Sequence, residues 1–196
     1  MRFRYLCAAV VLSGCTLAGS AQMGSTTAKV AVGSQMSPVQ AQDELLNLFE
    51  QEFMAVAKAM PADKYDFAPS ASNFVPTQGA KYEGVRTFAK EIAHVSQANY
   101  FFGSKIRGDK MPIEAANIAK LTTKDELLKA AADSFAYAHQ SIATITPENA
   151  YVAIDGADGI HTRAALASFI SAHGFDHYGQ MVEYLRMNGI IPPGSK

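Results

Sequence analysis

Four stretches of this chain carry apolar residues at alternating steps of three and four, and no stretch of similar strength alternates with period two. Each apolar stripe has to be covered, and without strands the helices can cover it only against one another. The first stretch follows Ser37-Pro38-Val39-Gln40, which has the form of a capping box with proline at the first helical position. It sets Leu45, Leu48, Phe49, Glu52, Val56 and Met60 on one face and stops at Pro61. The second starts near Thr87 and carries Phe88, Ile92, Val95, Asn99, Phe102 and Ile106. The third opens on a further capping box, Thr123-Lys124-Asp125-Glu126, and carries Leu128, Ala131, Phe135, Ala138, Ile142 and Ile145 before Pro147. The fourth starts near Thr162, a suitable N-cap, and ends at Asn188-Gly189 with Pro192 and Pro193 beyond. The expected fold is all-α, an antiparallel four-helix bundle over residues 37–193. Between the first two helices, Pro61 to Arg86 contains Pro69, Pro76, Gly79 and Gly84, and an irregular connection of that length is expected to help form the mouth of a site.

The chain ahead of the bundle reads differently. Arg2 and Arg4 precede a short apolar run from Tyr5 to Leu12, with small residues behind it, which is the pattern of an export signal over residues 1–21 rather than a membrane span. Leu12-Ser13-Gly14-Cys15 resembles a lipobox, in which Cys15 would be lipidated and tether the chain to a membrane; Gly19-Ser20-Ala21 offers ordinary cleavage after Ala21 instead. Either route makes the protein exported, periplasmic or lipid-anchored at the cell envelope. Residues 22–36, rich in Gly, Ser, Thr, Ala and Gln, suit a flexible linker. With Cys7 inside the signal, at most one cysteine remains, which excludes an intramolecular disulfide framework and a cysteine metal site. A net charge of −1 supplies no basic face for nucleic acid.

Chemistry concentrates in the histidines. His173 and His177 stand four residues apart on the stripe Leu166, Ile170, His173, His177, Met181, Tyr184, so both point toward the bundle core. Buried imidazoles need partners; a metal ion would serve, and so would hydrogen bonds. Imidazole suits zinc, nickel, iron or copper. His94, on the edge of the second helix's apolar arc, is the candidate third ligand, and three histidines would leave coordination positions open for water or substrate. Glu91 and His94 also make a Glu-x-x-His, the half-motif of di-iron bundles, but Ile170 and Gly174 stand where the second copy would need glutamate. Asp176 is a candidate for orienting a ligand histidine, and Tyr184 and Arg186 for meeting substrate, Arg186 an anionic one. His139 reads as a boundary residue and His161 as a solvated loop residue. Asp155 and Asp158 hint at calcium, yet their register does not fit an EF-hand loop. No residue is identified as the general base. Gly-rich phosphate loops, nucleophile elbows and Cys-x-x-Cys pairs are absent from the sequence.

Three segments together are similar to the DinB-like family: Lys64-Tyr65-Asp66-Phe67-Ala68-Pro69, the run Glu91 to Tyr100 around His94, and the run His173 to Pro193 around His177 and Arg186. The similarity covers about residues 40–193. It implies a four-helix bundle, often dimeric, with one divalent metal held by His94, His173 and His177, usually zinc or nickel, with iron the further alternative. It implies a metal-dependent enzyme acting on a small molecule, a transferase or isomerase using a low-molecular-weight thiol such as bacillithiol or mycothiol. Such thiols are scarce outside the cytoplasm, so an exported member leaves metal-dependent hydrolysis open. The alternative is a non-catalytic exported or lipid-anchored binding module whose metal is structural or incidental.

Overall fold

The computed structural model describes residues 30–73, 75, 79 and 81–195. The export signal, the lipid anchor at Cys15 and residues 22–29 of the linker lie outside the described residues; residues 30–36 are exposed and carry no helix or strand. Over Gln35–Lys196 the described chain folds into a compact unit. Its helices are α1 (Pro38–Ala59), α2 (Phe88–Arg107), the short α3 (Glu114–Ile118), α4 (Lys124–Ile142) and α5 (Arg163–Met187), with a hairpin of β1 (Ala153–Ala157) and β2 (Ile160–Thr162) between α4 and α5.

The helices start where local chemistry says they should. Ser37 and Gln40 cap each other reciprocally, as do Thr123 and Glu126, and the hydroxyls of Thr87 and Thr162 accept the N–H groups of Lys90 and Ala165. α2 ends on Gly108 at φ 76°, a left-handed stop that glycine adopts without the Cβ clash of other residues.

Side-chain bonds between helices establish their directions. Lys124 Nζ, at the start of α4, donates to the Met60 carbonyl just beyond α1 (2.7 Å), and His139, near the end of α4, meets Asp43, near the start of α1. Arg163 Nε, opening α5, donates to the carbonyl of Ile106 near the end of α2 (3.0 Å), while the Tyr184 hydroxyl, near the end of α5, donates to the carbonyl of Arg86 just before α2 (3.1 Å). Both pairs are therefore antiparallel. By contrast Ser168 and Tyr178 of α5 bond Gln42 and Glu52 of α1 in the same order, and Asn99 and Gly103 of α2 meet Ser134 and Ser141 of α4 in the same order. The four long helices thus run up, down, down, up. Two antiparallel pairs, α1/α4 and α2/α5, lie side by side, and the parallel step from α2 to α4 is allowed by the crossover that contains α3.

The core is aromatic at its centre. Phe49 packs on Phe53, Phe135 and Phe175 with ring centroids 5.1–5.5 Å apart. Gly174 makes room for it, because a Cβ there would lie 2.1 Å from the Phe49 ring. Two stripes are turned relative to expectation. On α1 the core positions belong to Leu46, Phe49, Phe53, Val56, Ala57 and Met60, while Leu45 and Leu48 are 37% and 53% exposed. On α4, Leu127 is fully buried and Leu128 only partly. Both helices offer adjacent leucines, so two phases of a 3.6-residue period are equally apolar and the facing helix selects one.

The hairpin was not anticipated. Its strands are too short for a period-two signal, yet Asp158 and Gly159, at φ 53° and 78°, make a two-residue turn of the kind Asp-Gly favours. What resembled a calcium fragment is a turn, and Asp155 pairs with Lys105 of α2 at 2.9 Å.

Candidate metal centre

α2 and α5, antiparallel neighbours, carry the three histidines to one place. One ring nitrogen each of His94, His173 and His177 lies within 4.8 Å of the other two. Ring centroids are 4.6 Å apart for His94–His177 and His173–His177, and 5.1 Å for His94–His173. His177 is buried and the other two are half-buried.

The environment decides which nitrogen is available. Glu91, one turn before His94 on α2 and 1% exposed, places Oε2 2.7 Å from His177 Nδ1. A carboxylate accepting at Nδ1 leaves Nε2 of a neutral His177 ring as the nitrogen that could ligate a metal. That Nε2 lies 3.3 Å from His173 Nε2. Two nitrogens bound to zinc at about 2.0–2.1 Å and a tetrahedral angle are themselves about 3.3 Å apart, so the pair already has ligand spacing. Burial lowers the pKa of His94 to about 4, with Arg86, His177 and His173 adding to the effect and Glu91 opposing it. Burial also lowers His173, again with His177 beside it. His94 and His173 are therefore uncharged at neutral pH, the state a metal requires of imidazole. The donor set fits a borderline divalent cation such as zinc or nickel.

His94 and His173 open onto a cleft of about 320 Å³ bordered by Phe101, Phe102, Met111 and Asp158. Phe102 and Phe169 pack against the His173 ring at 5.6 and 6.0 Å between centroids. The mouth is therefore built by α2, the segment after it and the β-hairpin turn. From the Pro61–Arg86 connection, the charge of Arg86 acts on His94 and His173, while Tyr65 and Phe67 give their carbonyls to Ala89 and Phe88 at the start of α2.

The other residues singled out from the sequence are placed as follows. Glu91 holds His177, so the half-motif it shares with His94 serves a three-histidine cluster. Asp176 is exposed and accepts a long bond from Gln180 (3.5 Å); it is not the carboxylate that orients a histidine. Arg186 is also exposed, paired with Glu183 and 3.4 Å from Ser195 Oγ, and so is not placed to receive a substrate anion at the cleft. Tyr184 is buried against Phe67, with its hydroxyl bonded to the Arg86 carbonyl and its pKa pushed up to about 12 by burial and by Glu91; it positions backbone. His161 is exposed on β2. His139 is half-buried between two carboxylates of α1, Asp43 at 2.5 Å and Glu50 at 3.0 Å. Met111 and Asp158, missed as site residues, reach the cleft through tertiary contact; Asp158 had a signal only in its Asp-Gly turn.

A family model of the DinB superfamily matches residues 45–181. The chain belongs to the DinB superfamily. The matched region takes in all three histidines and Glu91, and the all-α bundle agrees with it. No curated protein sequence matches this DinB-superfamily chain significantly.

Proposed function

We propose that the protein is a divalent-metal-dependent enzyme acting on a small molecule, with the ion held by His94, His173 and His177. The observation that carries this reading is the convergence of three imidazoles, two of them held uncharged and the third oriented by Glu91, beside a cleft that leaves room for a reactant. Bound there, the cation supplies Lewis acidity toward a water or a thiol. The chain's own residues do the rest: Glu91 fixes the tautomer of His177, Phe102 and Phe169 hold the His173 ring, and the apolar cleft wall limits water on one side. In the same reading the protein is exported, and the scarcity of low-molecular-weight thiols outside the cytoplasm makes hydrolysis the activity to assay before thiol transfer.

The test begins with His173→Ala rather than His177→Ala, because removing His177 would leave Glu91 buried without its partner. The purified protein is expected to carry close to one zinc or nickel per chain by elemental analysis, and His173→Ala to lose it while keeping its helical circular dichroism. Ester-hydrolysis and thiol-conjugation screens of the loaded protein are expected to give activity that disappears in the variant. A wild-type chain that binds no divalent metal, or activity unchanged by His173→Ala, would overturn the reading.

A further inference from the structure

Lys90, His94, Gln97 and Phe101 follow one another along α2 at steps of four, three and four, so they share one face of the helix over about 16 Å. Two hollows open along that face. One, already described, has Phe101, Phe102 and Met111 in its wall. The other, about 220 Å³, is bordered by Arg86, Lys90 and Ala93. Gln97 borders both and is pinned by a bond from its Nε2 to the Ala115 carbonyl at 3.0 Å. His94 therefore sits between a cationic end and an apolar end.

The two cations are exposed, and among the described residues neither side chain makes an ion pair or a hydrogen bond. The opposite rim carries Asp158, which borders the same hollow as His94 and His173. Charge thus runs from positive at one hollow to negative at the other along this face of α2, with exposed apolar surface at Phe101 (38%) and Met111 (43%).

We propose that Arg86 and Lys90 hold the carboxylate or phosphate of a small amphiphilic substrate, whose apolar part lies over Phe101 and Met111 and whose reacting group lies at His94 between them. The inference rests on the reading of the histidine cluster as the reacting centre. An arginine fork with a lysine beside it suits an oxyanion, and Asp158 disfavours the reversed pose. The anion-binding role that the sequence suggested for Arg186 passes to Arg86, which reaches the site through the start of α2.

The experiment uses the full chain as purified and three probes: 4-phenylbutyrate, 3-phenylpropyl phosphate and the neutral 4-phenylbutanamide, with affinity measured by titration calorimetry or by NMR shifts. At least one anion is expected to bind about five-fold or more tightly than the amide, the range two partly solvated charge pairs can supply. Arg86→Gln combined with Lys90→Gln is expected to erase that gap with amide affinity unchanged, and each single change to erase part of it. Arg186→Gln is expected to leave the gap intact. The anion with the larger gap identifies the group. Equal binding of acid and amide by the wild type, or a gap that survives the double substitution, would overturn the proposal. Divalent-metal content of the same samples keeps the two ideas apart: a gap without bound zinc or nickel sinks the metal reading alone, and bound metal without a gap sinks the anion subsite alone.

Discussion

Two antiparallel helix pairs of this bundle each hold a half-buried histidine cluster, and they behave in opposite ways. Between α2 and α5, three imidazoles share one carboxylate; between α1 and α4, one imidazole is held by two. In the first cluster only one ring nitrogen is occupied by the carboxylate, and neighbouring rings add to burial in disfavouring protonation of His94 and His173. In the second, both nitrogens of His139 face carboxylates, Glu50 and Asp43, and its pKa is raised, chiefly by the bond to Glu50. The ratio of imidazole to carboxylate, rather than the presence of histidine, separates a site with free lone pairs from an interhelical ion pair.

The largest effect should come from removing a ligand at the α2/α5 cluster. His94→Ala is expected to weaken zinc binding more than about 100-fold in a chelator-competition assay, more than an orienting partner costs. The same assay on His139→Ala should show no change; metal loss in that variant would erase the distinction between the two clusters. Glu91→Gln comes next. An amide can still accept from Nδ1 of His177 but without charge, so zinc affinity is expected to fall about 10- to 100-fold. Retention of full affinity would mean that Glu91 does not orient the ligand.

A smaller effect is expected at His139. Its pKa is higher folded than unfolded, so its ion pairs stabilise the protein fully below the ordinary value of 6.5 and lose that contribution as pH rises through the raised value. His139→Gln should lower stability by about 1 kcal/mol near pH 6 and flatten the decline above it, as read from urea unfolding at a series of pH values. A variant with the same pH profile as the wild type would contradict the assignment. For the metal-free protein, His94 has the opposite sign: its pKa of about 4 when folded makes stability fall as pH drops from 6.5 toward 4. Smallest of all, Asp176→Asn should change zinc affinity less than about two-fold, since an exposed carboxylate acts on His173 only through solvent-screened charge.

Helix starts, stops and the presence of a His-x-x-x-His pair are local matters. A capping box acts within four residues and an i, i+4 pair within one turn, so Ser37, Thr123, Thr162, His173 and His177 were legible in the chain by itself. The wider candidate set was legible only in part: Glu91 meets a histidine, whereas Asp176 and Arg186 are exposed with partners on or just beyond their own helix. Whether Leu45 or Leu46 faces the core, whether Arg86 or Arg186 borders the hollow next to the cleft, and whether an Asp-Gly turn ends at the cleft's rim depend on contacts between residues far apart in sequence. Periodicity specifies a stripe only to within its phase, and a long side chain's neighbours only to within its own helix. The packing of α2 against α5 and of α1 against α4 chose among those options, because burying one face excludes the alternatives.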